Sequence, residues 1–132
     1  MPLVIDASVA AAWGLADEDH PTASRAEERL LRDVIFAPSL WWFEVRNTLI
    51  VAERRGRIAQ TDVGRFLTAL ARLPVEIDRE PVEPDLLRLA RHYRLTVYDA
   101  AYLELALRKG ADLATLDREL ISAGAAERVD LV

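Results

Sequence analysis

Short apolar runs alternate along the chain with longer stretches in which apolar residues recur every three or four positions. Residues 3–5 form such a run and end at Asp6, as a buried strand of a parallel sheet does. Residues 34–37, 75–77 and 113–116 repeat the pattern, and 129–132 is a candidate fifth strand. Helical periodicity predicts elements over 8–15 and over 22–32, the second turning Ala26, Leu30 and Leu31 inward. Between them the polar run Asp17-Glu18-Asp19-His20-Pro21 reads as a loop, with Pro21 near the first helical position. Pro38-Ser39 opens a long helix to about Arg55, and Gly56 stands where a C-terminal cap belongs. Further helices are expected over 61–71, 84–93, 98–109 (stopped by Gly110) and 117–123.

Strands alternating with helices predict an α/β sandwich whose central sheet is mainly parallel and covered on both faces. With no repeat, linker or low-complexity tract, residues 1–132 read as a single domain. In such sheets ligands bind beyond the carboxyl ends of the strands, so the chemistry is sought there.

Hydrophobic residues make up 52% of the chain and charged ones 30%, which excludes intrinsic disorder. The absence of cysteine excludes disulfides, thiolate metal sites and cysteine nucleophiles. No apolar stretch reaches the length of a membrane span, and the first residues have no basic flank. A cytoplasmic location is expected. Lys+Arg is 17 against Asp+Glu 22, a net charge of −5, which disfavours a generic duplex-coating protein. Only Lys109 among those cations is lysine, and arginine can grip phosphate bidentately.

Four acids stand in apolar company. Asp6 ends the first strand and Asp117 the last of the clear ones, so both fall at the carboxyl edge. Asp99 opens the helix Thr96-Val97-Tyr98-Asp99-Ala100-Ala101-Tyr102-Leu103, and Glu44 lies in Trp41-Trp42-Phe43-Glu44-Val45. A charge leaving water needs a partner or a metal. Helix capping accounts singly for Asp6, Asp99 or Asp117, and a solvent-facing position accounts for Glu44. Capping does not explain why the acids share one sheet edge. If the four converge, like charges raise at least one pKa, and a divalent cation removes that penalty. All-oxygen ligands select Mg²⁺ or Mn²⁺, ions suited to phosphodiester hydrolysis by activated water. A metal-free ribonuclease commonly uses histidines, but His20 and His92 both read as surface residues.

Val4-Ile5-Asp6-Ala7-Ser8 resembles the first motif of the PIN-domain nucleases. Glu44, in a helix begun by Pro38-Ser39 and with Asn47 three residues on, resembles the second. The segment from Thr96 to Leu103 resembles the third, and Leu113-Ala114-Thr115-Leu116-Asp117 the fourth. The order and the chain length are similar to VapC-type toxins of toxin–antitoxin pairs. The resemblance implies a PIN-like three-layer α/β/α sandwich with about five short strands. It implies a metal-dependent endoribonuclease in which Asp6, Asp99 and Asp117 hold Mg²⁺ or Mn²⁺ and Glu44 does so directly or through water. Ser8, Thr115 and Asn47 would orient ligands, waters or substrate. A homodimer is implied, with a cognate VapB-type antitoxin laid across the acidic groove, lined by Trp41, Trp42 and Phe43. DNA would be met only through that antitoxin. RNA would be gripped by arginines, with Arg46 and Arg54 foremost and Arg55 and Arg57 beside them.

Two rivals make different demands. A PIN-like module that binds RNA or a partner without cutting predicts a missing acid, and all four positions are acidic here. An aspartyl phosphatase using Asp6 as nucleophile wants a second acid two residues on, where this chain has Ser8.

Overall fold

A computed structural model describes residues 1–17 and 19–132; Glu18, within the expected loop, lies outside the described residues. The elements in order are β1 (Leu3–Ile5), α1 (Ala7–Gly14), α2 (Pro21–Arg29), β2 (Ile35–Pro38), α3 (Leu40–Arg54), α4 (Gln60–Leu70), β3 (Val75–Asp78), α5 (Glu83–Tyr93), α6 (Val97–Lys109), β4 (Asp112–Ala114) and α7 (Arg118–Ala126). The four strands form one parallel sheet in the order β3-β2-β1-β4. β1 is flanked on both sides, and its three residues are wholly buried. That is why it reads as an unbroken apolar run rather than an alternating one.

Helix α6 packs across β1, β2 and β4, with α5 and α7 against it. Residues 100–106 of this helix are all buried, so it is the spine of its layer. On the other side α1 packs against α2 and α3, and α3 meets α4. The result is the expected three-layer α/β/α architecture. α3 buries Trp41, Val45, Leu49 and Ala52, one helical stripe, and leaves its opposite face outward. Gly56 (φ 73°) and Gly110 (φ 58°) take left-handed conformations just past α3 and α6, as their positions in the sequence predict.

The structure corrects several sequence expectations. The fifth strand is reduced to a single parallel bridge between Leu113 and Leu131. β4 stops at Ala114 instead of continuing to residue 116, and beyond it the amides of Leu116 and Asp117 donate to the Ser8 and Thr115 hydroxyls rather than to a neighbouring strand. α2 ends at Arg29 rather than at 32, and Leu31, expected in the core, is 96% exposed. The helix ends where Arg29 turns to Asp33 and reaches Asp112 at 2.7 Å, so Leu31 falls in a turn outside the packed stripe.

Candidate functional site

The connection from β1 runs to β2 on one side, whereas β4 lies on the other. The β1–β4 boundary is therefore the place where an α/β sheet opens a crevice at its carboxyl edge. Asp6 follows β1 directly, and its amide still donates to the Ala114 carbonyl at 2.9 Å. Asp117 lies three residues past β4.

Two hydroxyls stitch these ends together. Ser8 Oγ donates to Asp6 Oδ2 at 2.8 Å, and Thr115 Oγ1 donates to the same oxygen at 2.7 Å. Ser8 Oγ accepts from the Leu116 amide at 3.1 Å, and Thr115 Oγ1 from the Asp117 amide at 3.0 Å. Each hydroxyl thus donates to the carboxylate, while Ser8 accepts from the segment after β4 and Thr115 accepts from the amide two residues on in its own segment. The chain on either side of Asp6 and Asp117 is fixed relative to its counterpart.

Capping accounts for one acid of the four. Asp6 occupies the N-cap position of α1, but its side chain makes no capping bond. The cap of α6 is Thr96, whose Oγ1 accepts from the Asp99 amide at 3.0 Å. Asp99 therefore sits inside the first turn with its carboxylate uncommitted to that role. Asp117 does cap α7, accepting from the Glu119 amide at 2.9 Å.

All four acids line one open groove of about 510 Å³, joined there by Ser8 and Asn47. Glu44, Asn47 and Thr48 reach it from one face of α3, following the three- and four-residue spacing of a helix. Asp99 reaches it from α6. The electrostatics register the convergence. Burial raises the Asp6 carboxyl above its ordinary value, against the Thr115 and Ser8 hydroxyls, and the Asp117 charge adds to the rise. Burial likewise raises Glu44, reinforced by the charges of Asp6 and Asp99. Asp99 is raised by burial first, then by Asp117 and Asp6.

The donors of the set suit a divalent cation. Every candidate is a carboxylate oxygen, and neither histidine lines the groove. Hard oxygen donors with accumulated negative charge match Mg²⁺ or Mn²⁺ rather than zinc. Among the described residues, no three acids or histidines are gathered tightly enough to chelate one ion as the side chains lie. The residues fit such an ion by the chemistry of their donors and by the groove they share.

One contact escaped the sequence reading. The Tyr102 hydroxyl donates to Glu44 Oε1 at 2.6 Å, from a side chain with no solvent exposure. Burial, the Asp6 charge and the Glu44 bond all push this phenol above its ordinary value, so it keeps its proton. The available signal was its spacing, three residues after Asp99 on the same helix. In an apolar stretch it reads simply as core.

The arginines and aromatics divide. Arg46 lies over the Trp42 ring at 3.7 Å and donates to the Trp42 carbonyl at 3.0 Å, while Arg54 is exposed at the end of α3. Neither lines the groove; Arg57 does, bonded to Asp17 at 2.9 Å. Trp41 is core, whereas Phe43 is 70% exposed and lines the groove, with Trp42 exposed beside it.

Residues 3–126 match the PIN domain family. The chain is 36% identical over 124 residues to Ribonuclease VapC3 of Pyrobaculum aerophilum, covering 91% of this chain and 92% of that protein. The crystal structure of PAE2754 from Pyrobaculum aerophilum superposes with a TM-score of 0.73 at 26% identity, over 93% of this chain and 79% of that one. Mycobacterium tuberculosis VapC20, a sarcin-ricin loop cleaving toxin, shares the fold with a TM-score of 0.61 at 14% identity, over 92% of this chain and 95% of that one. With the family match spanning nearly the whole sheet and all four acids, this chain belongs to the PIN-domain family.

Proposed function

We propose that this protein is a metal-dependent endoribonuclease acting as the toxin of a toxin–antitoxin pair. The observation that carries the reading is the meeting of Asp6, Glu44, Asp99 and Asp117 in one groove at the carboxyl edge of the sheet. The relative named as a ribonuclease supports the choice of substrate class.

Asp6, Asp99 and Asp117 would hold Mg²⁺ or Mn²⁺, with Glu44 holding it directly or through water. When bound, the ion lowers the pKa of a coordinated water and stabilises charge on the phosphate. Ser8 and Thr115 hold Asp6 from behind, fixing which oxygen is engaged. Asn47, on the groove wall, orients a water or a substrate group. Attack by water forms a new P–O bond as the bond from phosphorus to the 3′ oxygen breaks. The products carry 5′-phosphate and 3′-hydroxyl ends.

The partner in this reading is a VapB-type antitoxin. Exposed Trp42 and Phe43 beside an acidic groove suit a segment that carries an apolar residue and an arginine. The toxin acts as a cytoplasmic homodimer and meets DNA only through the antitoxin. No helix among the described residues is long and apolar enough to cross a membrane. Arg46 and Arg54 would grip RNA phosphate outside the groove, with Arg57, which lines it, beside them.

Induced expression of wild type and Asp99→Ala, followed by RNA 5′-end mapping, tests the proposal. New discrete ends in the wild type alone, suppressed by chelator in the purified protein, are expected. No new ends from either protein would overturn it in favour of a binding module that does not cut, and equal new ends from both would overturn the role of Asp99.

A further inference from the structure

The Glu44–Tyr102 contact joins two helices 58 residues apart in sequence, and it does so beneath the groove rather than in it. A buried tyrosine needs an acceptor, and most find one anywhere within reach. This one takes a carboxylate oxygen of a groove acid. Its own helix also delivers Asp99 one turn earlier, so α6 presents an acid and a donor on the same face. A second tyrosine provides a matched case elsewhere. Tyr93 donates its hydroxyl to Glu127, on α5 and just past α7, in a place that touches no groove acid.

A glutamate has three rotatable bonds and reaches an ion in many ways. Glu44 also sits on the outward side of α3, where packing does not restrict it on every side. The phenol is held rigidly by the wholly buried stretch around it. A short bond to one carboxylate oxygen selects the rotamer and keeps the side chain turned into the groove.

We propose that Tyr102 is a positioning residue, whose hydroxyl keeps Glu44 turned into the groove where a divalent cation would bind. This rests on the metal-dependent nuclease reading. Tyr102 touches neither substrate nor ion; it acts through Glu44. Losing such an outer partner of a metal ligand weakens metal binding by roughly 10–100-fold.

The test compares wild type, Tyr102→Phe, Tyr93→Phe and Asp6→Asn. Mn²⁺ binding is measured on the purified proteins by the loss of the free-ion electron paramagnetic resonance signal. RNA cleavage is then followed across a Mn²⁺ titration. Tyr102→Phe is expected to bind Mn²⁺ about tenfold more weakly and to need about tenfold more for half-maximal cleavage, with much of the rate regained at saturation. Tyr93→Phe, which loses a bond of the same kind, should match wild type in both. If Tyr102→Phe binds Mn²⁺ as wild type does, or if Tyr93→Phe weakens binding equally, the positioning role is overturned while the nuclease reading stands. If wild type neither binds Mn²⁺ nor cleaves RNA, the nuclease reading itself falls, and the Tyr102 role with it.

Discussion

The two ends of helix α6 handle buried acids in opposite ways. Near its N-terminus, Asp99 and the Tyr102 partner Glu44 join Asp6 and Asp117, and the bonds to Asp6 and Glu44 come from hydroxyls. Near its C-terminus, Glu104 is 2% exposed but takes both its bonds from Arg108, at 2.7 and 3.0 Å. The same guanidinium grips Asp78 with two bonds, at 3.0 and 2.6 Å. At the rear the chain supplies its own cation, and the Arg108 bonds hold the Asp78 carboxyl below its ordinary value. At the front the carboxyls of Asp6, Glu44 and Asp99 are all pushed up, first by burial. Rear charge is a device for joining β3 to α6. Front charge is held in readiness by neutral groups, at the expense of the fold.

The largest effect that would break this contrast is at the rear. Arg108→Met should destabilise the protein by about 3–5 kcal/mol, since it strands Glu104 without a counter-charge. Urea unfolding measures this, while cleavage per folded molecule should stay near wild type. A loss of activity without a loss of stability would mean that the two regions are not separate. Asp6→Asn should do the reverse. Cleavage falls by more than ~100-fold, beyond the range for an outer partner. In the absence of divalent ion the melting temperature should hold or rise, because a repelled buried charge has been removed.

Thr115→Val comes next. It keeps the shape but removes the donor to Asp6 and the acceptor for the Asp117 amide, so a loss of about 10–100-fold in metal affinity is expected. Mn²⁺ titration reads it directly. The smallest effect is with acid. Because the folded Asp78 carboxyl lies below its ordinary value of 3.8, its contribution is full above that value and is lost as pH falls through the lower folded value. Stability curves of wild type and Asp78→Asn should therefore converge below pH ~4, and a constant gap across that range would refute the assignment.

Much of this was legible from residue patterns, because burial on both faces writes itself as apolar runs. β1 and the ends of α3 and α6 follow from Leu3-Val4-Ile5, Gly56 and Gly110. The four acids stood out because apolar neighbours make a carboxylate conspicuous. What stayed hidden was whatever tertiary contact decided. Leu113-Ala114-Thr115-Leu116 reads as a strand to its end, yet the strand stops at Ala114 and the next amides go to the Ser8 and Thr115 hydroxyls. Arg46 and Arg57 are equally charged in the sequence. The first meets Trp42 four residues back on its own helix, a local contact, whereas only the fold sets the second on the groove wall. Tyr102 was invisible for the opposite reason, since an aromatic amid alanines and leucines looks like packing.

The hydroxyl stitch between Asp6 and Thr115 spans 109 residues of sequence. During synthesis the first of these partners leaves the ribosome long before the second. A chain paused anywhere between them has only the local Ser8 bond on its aspartate and lacks the strand β4 that completes the crevice. The groove of four acids is thus born unassembled, and it closes only once the segment carrying Thr115 and Asp117 has been made.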